Sequence, residues 1–137
     1  VQGIAVITTL DTLSKCPGVA ANARALVAFG ATLVYGAEIA HADVPWGIDA
    51  EELNWMRTVG MAPLDVLRAA TSRTGQVLGL SPLGTLAPGA PADLIAVRGN
   101  ALADFKRLEY PDLVMSGGRI VFDSFTTAAR RSAPPSR

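Results

Sequence analysis

The sequence predicts an α/β fold that ends in small β-structure, and three observations carry this prediction. Apolar, β-branched runs at residues 3–9 and 32–36 have the composition of parallel strands that are buried on both faces. Between them, residues 19–29 are rich in alanine and place apolar side chains at helical spacing. Beyond residue 84, short strand-like segments alternate with glycine-containing turns. Helical sequence therefore gives way to β-sequence within residues 69–97.

The first part of the chain is predicted to form a βαβ unit. Gly30 ends the helix in the manner of a C′ glycine, and the second strand follows at once. The connection between two such parallel strands is expected to be right-handed. The second strand leads into a polar loop, residues 37–47, which contains Glu38, His41, Asp43 and Trp46.

The helix after this loop has a complete start signal. Asp49 is the N-cap candidate, and Glu52 stands three residues later, as in an acidic variant of the capping box. Ile48 and Leu53 occupy the two positions of a hydrophobic staple. Gly60 is expected to stop this helix, and both carboxylates are interpreted as helix-capping groups.

Shorter elements complete the prediction. Pro63 lies in the first turn of a further helix, and residues 76–80 and 103–107 are each expected to add a helical turn. Asp93 is expected to fix a turn by hydrogen bonds rather than to act chemically. Short strands are predicted at residues 84–86, 92–97, 113–115 and 119–122, the last two joined as a hairpin.

Composition excludes several classes of protein. Twelve acidic and twelve basic side chains give a net charge of zero, so the chain lacks the basic footprint of a nucleic-acid binder. No apolar run reaches the length of a membrane span. Cys16 is the only cysteine, which excludes a disulfide framework and a cysteine-based zinc site. No base stands near Cys16 in the sequence, so it is interpreted as a passive residue.

The chain is short for the sheet that it predicts. Strands buried on both faces need neighbours, and a closed (β/α)₈ barrel takes about 250 residues. Because the sequence starts at Val1 rather than at methionine, we expect a preceding part of the same protein to complete the sheet. The alternative is a free-standing α/β domain, which would unfold cooperatively as a monomer. A cytoplasmic location is expected, and the oligomeric state is left open.

Three motifs carry a resemblance to a known family. The chain resembles the carboxy-terminal third of amidohydrolase-superfamily metal-dependent hydrolases, and it is most similar to imidazolonepropionase-like and Xaa-Pro dipeptidase-like members. The resemblance covers residues 3–123. Its motifs are LRAATSRTGQVLGL at residues 67–80, GTLAPGAPADLIAV at 84–97 and VMSGGRIV at 114–121.

This resemblance implies an architecture. Residues 1–80 would be the last βαβ units of a TIM-type (β/α)₈ barrel, and residues 81–124 would be part of a small β-sandwich that both ends of the chain assemble. Residues 125–137 would be a disordered tail. In such a barrel the chemistry lies at the carboxyl ends of the strands.

The resemblance also implies a site. Similar enzymes carry Gly-Thr-Asp after the last strand, where the aspartate binds the metal and moves a proton, and this chain has Gly36, Ala37 and Glu38. Glu38 is thus the candidate catalytic carboxylate and metal ligand, and His41 is the candidate substrate-binding residue. The other histidine ligands of the family are absent, so a divalent metal such as zinc is expected in the complete protein and not in this chain alone.

The implied function is hydrolysis of a C–N bond by metal-activated water. The small-molecule substrate would be a non-peptide amide, a cyclic amide or an X-Pro dipeptide. The partner would be the missing amino-terminal part of the same protein, with no nucleic acid and no membrane. The alternative is a degenerate or truncated module that associates with a partner and catalyses nothing, because the sequence departs from the family pattern at Ala37 and Glu38.

Overall fold

The fold of the described residues is α/β: a parallel βαβ unit is followed by three helices and then by an antiparallel sheet. The computed structural model describes residues 3–40, 42, 44 and 46–126. The elements are β1 Ala5–Ile7, α1 Val19–Ala28, β2 Thr32–Val34, α2 Ala50–Thr58, α3 Pro63–Ala70, α4 Ser72–Val77 and β3 Leu94–Ala96, then a 3₁₀ helix Phe105–Glu109, β4 Leu113–Ser116 and β5 Arg119–Asp123. No helix of this described part is both long and apolar enough to span a membrane.

The amino-terminal part is the predicted βαβ unit. Strands β1 and β2 pair in parallel with Val6 opposite Leu33, and α1 connects them. The ladder continues past β1, where the Thr8 amide donates to the Val34 carbonyl at 2.9 Å. Both strands are shorter than the apolar runs that predicted them: β1 lacks residues at both ends of its run, whereas β2 lacks only the last two residues of its run.

Helix α2 begins as predicted, but its capping box does not form. The side chain of Asp49 accepts a hydrogen bond from the Glu51 amide at 2.9 Å, which confirms the N-cap. The prediction that Glu52 reaches back to the cap residue is wrong. Its Oε2 instead accepts from the amide of Asp11 at 2.7 Å, in the segment that follows β1. Leu53, one of the two predicted staple residues, is fully buried.

The next two helices pack against this unit. Pro63 begins α3, as its missing amide favours at a first-turn position. The short helix expected at residues 76–80 lies earlier, as α4. Gly75 of α4 lies so close to the Leu83 carbonyl group that a side chain there would collide with it.

The carboxy-terminal sheet has the order β3-β4-β5 and is antiparallel. Strands β4 and β5 form the predicted hairpin, with Gly117 and Gly118 at its turn. The strand predicted at residues 84–86 is wrong, since this segment is a turn. Gly84 has a φ of 75°, outside the strand region, and it lies against the backbone of Thr71, where no side chain would fit.

One apolar core joins the helices to the later part of the chain. It contains fully buried side chains from α2 and α3 together with Phe105 of the 3₁₀ helix, whose side chain is 1% exposed. Arg57 of α2 lies over the Phe105 ring, 5.8 Å from its centroid. The core therefore packs the start of the β-rich segment against α2.

Candidate active site

Glu38 lies just beyond the carboxyl end of β2. Strand β2 ends at Val34, and Glu38 follows Gly36 by two residues in the connection to α2. Its side chain is exposed. Because β1 and β2 are parallel, their carboxyl ends lie at the same edge of the pair. The segments that follow the two strands therefore begin side by side at this edge. An exposed carboxylate at this edge is free to meet a ligand.

The backbone before Glu38 is tightly packed. A Cβ at Gly36 would lie 2.6 Å from the Thr8 carbonyl oxygen and would also collide with the Ile7 side chain. Gly36 does not have a positive φ, so the requirement for glycine is one of space rather than of backbone conformation. The close approach of the two connections therefore fixes the path of the chain two residues ahead of Glu38.

Tyr35 joins the two ends of the connection that carries Glu38. Its hydroxyl oxygen accepts a hydrogen bond of 2.8 Å from the amide of Asp49, the cap residue of α2. Its own amide donates to the Ala69 carbonyl on α3 at 3.1 Å. The residue before the connection is thereby bonded to the residue after it and to a neighbouring helix.

A buried glutamate ties the other connection to the same helix. Glu52 is only 1% exposed, and its Oε2 accepts a hydrogen bond from the Asp11 amide. Its Oε1 is buried and has no hydrogen-bond partner within the part of the chain that the structure describes. A buried oxygen without a partner is costly. Glu52 therefore links α2 to the segment after β1 with only half of its carboxylate satisfied.

Burial shifts the acids at this edge in one direction. It raises the pKa of the Glu52 carboxyl above its ordinary value, although the nearby Thr8 hydroxyl and the Asp11 amide oppose the shift. Burial likewise raises the pKa of Asp49 and that of the Tyr35 hydroxyl. All three groups are thus biased toward their neutral forms.

The α2 amino terminus has one further carboxylate contact. The Ala50 amide donates to Oε1 of Glu109 at 3.0 Å, and Lys106 binds Oε2 of the same side chain at 2.7 Å. Glu109 is in the 3₁₀ helix, 59 residues further along the chain than Ala50. This contact fastens the start of α2 to the β-rich part of the molecule.

The structure describes three of the other residues that the sequence analysis singled out: Trp46, Cys16 and Asp93. His41 and Asp43 lie outside the described residues, so the predicted substrate role of His41 stays a prediction. Trp46 is described and its side chain is 88% exposed. Cys16 is exposed. Asp93 has the structural role expected of it, since its Oδ1 accepts from the Gly117 amide at 2.7 Å and so braces the β4–β5 turn.

The described residues do not form a metal site by themselves. Across residues 3–40, 42, 44 and 46–126, no group of three or more histidine, cysteine, aspartate or glutamate side chains is arranged to hold a metal ion. Glu38 can supply one carboxylate oxygen donor, and a catalytic zinc takes three protein ligands. The donor set that the described residues offer is therefore incomplete for such a metal.

Sequence analysis did not find Tyr35, Asp11 or Glu109. Each makes a hydrogen bond to a residue that is 14 to 59 positions away in the sequence. Local sequence patterns do not show which distant residues come into contact. Tyr35 offered one signal: its hydroxyl ends an otherwise apolar strand and needs a partner when half-buried. Nothing in the sequence marks the amide of Asp11 as the partner of Glu52.

Comparison with known proteins gives consistent results. The chain matches the family model of the amidohydrolase family over residues 5–121. It is 35% identical over 75 residues to adenine deaminase 1 of Agrobacterium fabrum (strain C58 / ATCC 33970), a match that covers 55% of this chain and 12% of that protein. The chain thus spans a small part of this curated relative.

Two solved structures are similar over most of this chain. One is a Xaa-Pro dipeptidase with methionine bound in its active site, at a TM-score of 0.69 and 28% identity over 77% of this chain and 26% of that one. The other is a putative prolidase from Bifidobacterium longum, at a TM-score of 0.74 and 25% identity over 88% of this chain and 35% of that one. In both cases the chain matches about a third of the neighbour or less.

Proposed function

Because the chain belongs to the amidohydrolase family, we propose that it supplies the last barrel strands of a hydrolase that cleaves C–N bonds. The observation that carries this proposal is the place of Glu38. It is an exposed carboxylate directly past the carboxyl end of a parallel strand, where barrel enzymes carry their chemistry. The two neighbouring connections meet there, so a substrate at that edge would lie within reach of Glu38.

Glu38 is proposed to move a proton between the attacking water and the leaving nitrogen. A carboxylate can do this when it lies within hydrogen-bond reach of both groups. A glutamate is one methylene longer than the aspartate of similar enzymes, so the backbone must lie correspondingly further from the substrate. The tight packing at Gly36 and the Tyr35–Asp49 bond fix that backbone.

A divalent metal, proposed to be zinc, would activate the water in the complete protein. The described residues offer it one carboxylate, that of Glu38, so the other ligands would come from elsewhere in the barrel. The remaining barrel strands are the proposed partner of this chain, as part of the same protein. This agrees with the 26% and 35% of the two solved neighbours that the chain matches.

The substrate is proposed to be a small amide or an X-Pro dipeptide. The similar solved proteins are named Xaa-Pro dipeptidase and prolidase, and the curated relative is named adenine deaminase. All three names describe cleavage of a C–N bond, which supports the proposed reaction class. The leaving group differs among them, so the assay must compare several substrates. His41 is proposed to contact the substrate.

The test uses the complete protein, meaning the natural polypeptide that contains these residues. It is assayed for metal content and for hydrolysis of X-Pro dipeptides, N-acyl amino acids, cyclic amides and adenine. Glu38→Ala is expected to lower kcat by about 10²- to 10⁴-fold, the range for loss of a general acid–base group. Glu51→Ala removes another exposed glutamate as the matched control and should leave kcat unchanged. Full activity in Glu38→Ala would sink the proposal.

A second candidate is a degenerate module without catalysis, which the departures at Ala37 and Glu38 favour. The two candidates differ in the effect of Glu38→Asp. In a working enzyme adapted to glutamate, the shorter side chain withdraws the carboxylate and lowers kcat. In a degenerate module, the wild type lacks both metal and turnover, and Glu38→Asp cannot lower what is absent.

A further inference from the structure

The connection between β2 and α2 is closed at its base by a single side-chain bond. Tyr35 precedes the connection and Asp49 follows it, and the Tyr35 hydroxyl accepts from the Asp49 amide at 2.8 Å. No backbone hydrogen bond of the described residues joins these two positions. The phenolic oxygen of Tyr35 therefore makes the direct link between the two ends of the connection.

Both partners of this bond are held from behind. Tyr35 packs against the apolar core, and its amide is bonded to Ala69 of α3. Asp49 is 2% exposed and uses its side chain to cap α2. Two supported positions thus meet at this bond, so its loss should be felt in the described residues directly after Tyr35 and not in the helices behind it.

Glu38 lies only three residues beyond Tyr35, and its side chain is exposed. On the carboxyl side of the connection, Val44 is buried, Ile48 packs against the core and Asp49 is bonded to Tyr35. The backbone on either side of Glu38 is consequently held by Gly36, which is packed against Thr8, and by these contacts.

We propose that Tyr35 is a positioning residue, whose hydroxyl closes the base of the β2–α2 connection and thereby holds the Glu38 carboxylate in place for proton transfer. This inference rests on the proposed function of Glu38. It gives Tyr35 no contact with substrate and no share in the chemistry. The role belongs to the hydroxyl group, because the tyrosine ring would pack against the core without it.

Tyr35→Phe in the complete protein tests this inference, because it removes the oxygen and keeps the ring. Tyr110→Phe is the matched control, since Tyr110 is 73% exposed and its hydroxyl makes no hydrogen bond to the described residues. The first readout is amide hydrogen exchange in peptides that cover residues 36–40. The second is the separate measurement of kcat and KM.

Tyr35→Phe is expected to speed exchange at residues 36–40 by about tenfold, the factor that corresponds to one net hydrogen bond. It should lower kcat by about tenfold with KM within twofold, because small displacements of a catalytic group slow chemistry more than binding. Tyr110→Phe should change neither quantity. A purely structural role would lower the melting temperature without moving kcat against KM.

Two results would overturn the inference. One is unchanged exchange at residues 36–40 in Tyr35→Phe, or an equal rise in Tyr110→Phe. The other is a normal kcat despite faster exchange, in a protein that loses activity in Glu38→Ala. If the wild type hydrolyses none of the substrates, the proposed function fails, while the exchange comparison still decides whether Tyr35 holds the connection.

Discussion

Replacing Gly36 by alanine should damage the chemistry of this protein more than its stability. The added methyl carbon would lie 2.6 Å from the Thr8 carbonyl oxygen, whereas ordinary contacts of this kind begin at 3.4 Å. The backbone must therefore move by roughly 0.8 Å (3.4 minus 2.6), and it must also yield to the Ile7 side chain. Because Glu38 follows two residues later, its carboxylate should move by a similar amount.

A shift of about 1 Å in a catalytic group can cost about 10²-fold in rate. We therefore expect kcat/KM of Gly36→Ala in the complete protein to fall by about 30- to 100-fold on the substrate that proves best. The forced backbone shift should cost about 1–3 kcal/mol of stability, as overpacking does elsewhere. The assay is steady-state hydrolysis at a temperature well below the melting transition, with unfolding followed by circular dichroism.

Gly75→Ala provides the matched control. Gly75 likewise has no positive φ, and a Cβ there would collide with the carbonyl group of Leu83. It lies in α4 and not in the connection that carries Glu38. It should lose stability to a similar extent and keep kcat/KM within twofold. Equal losses of kcat/KM in the two variants, or none in Gly36→Ala, would refute the proposed link between packing at Gly36 and chemistry at Glu38.

Three further predictions concern stability and ionisation. Burial raises the pKa of Glu52 in the folded state above its ordinary value of 4.5, so the native state binds this proton more tightly than the unfolded state does. The contribution of this proton to the free energy of unfolding should be full below pH 4.5 and should be lost as the pH rises through the raised pKa. Glu52→Gln should remove this loss from the free energy of unfolding that chemical denaturation measures at each pH. Leu53→Ala should destabilise the protein by about 2–5 kcal/mol in the same assay, because Leu53 is fully buried. Leu64→Ala should cost less than about 0.5 kcal/mol, because Leu64 is exposed. Equal costs would contradict this difference in burial. The backbone amide of Arg98 is the first cause that lowers the pKa of Asp112, with bonds from Ser124 and the Arg98 side chain adding to it. Arg98→Ala keeps the amide, so an NMR titration should show the Asp112 pKa rising only part of the way to 3.8, and a complete return would show that the side chain dominates.

Local signals in the sequence predicted the elements that local forces determine. The cap at Asp49 forms because its carboxylate needs only an amide two residues away. The hairpin at residues 113–122 forms because its turn is made of two glycines with positive φ. In both cases the partner groups are neighbours in sequence, so the pattern contains the interaction.

Prediction failed where the partner is distant. Glu52 has the spacing of a capping box, but the Asp11 amide, 41 residues away, binds its carboxylate instead. The strand expected at residues 84–86 is lost because Gly84 is pressed against the end of α3 with a positive φ. For the candidate site, the resemblance of the sequence to a family pointed to Glu38, whereas Tyr35 became visible only through its hydrogen bond to Asp49. Tertiary contacts decided each of these outcomes.

The position of Phe105 has a consequence for attempts to divide this chain. Its ring fills the same core as α2, and Glu109 on the same turn accepts from the first amide of that helix. A polypeptide that stopped near residue 80 would leave an open hollow beside Leu53 and an amide donor without its acceptor. The later segment, expressed alone, would expose an aromatic ring to water. We therefore expect that, in the complete protein, neither side of a chain break near residue 82 keeps this core when the other side is removed.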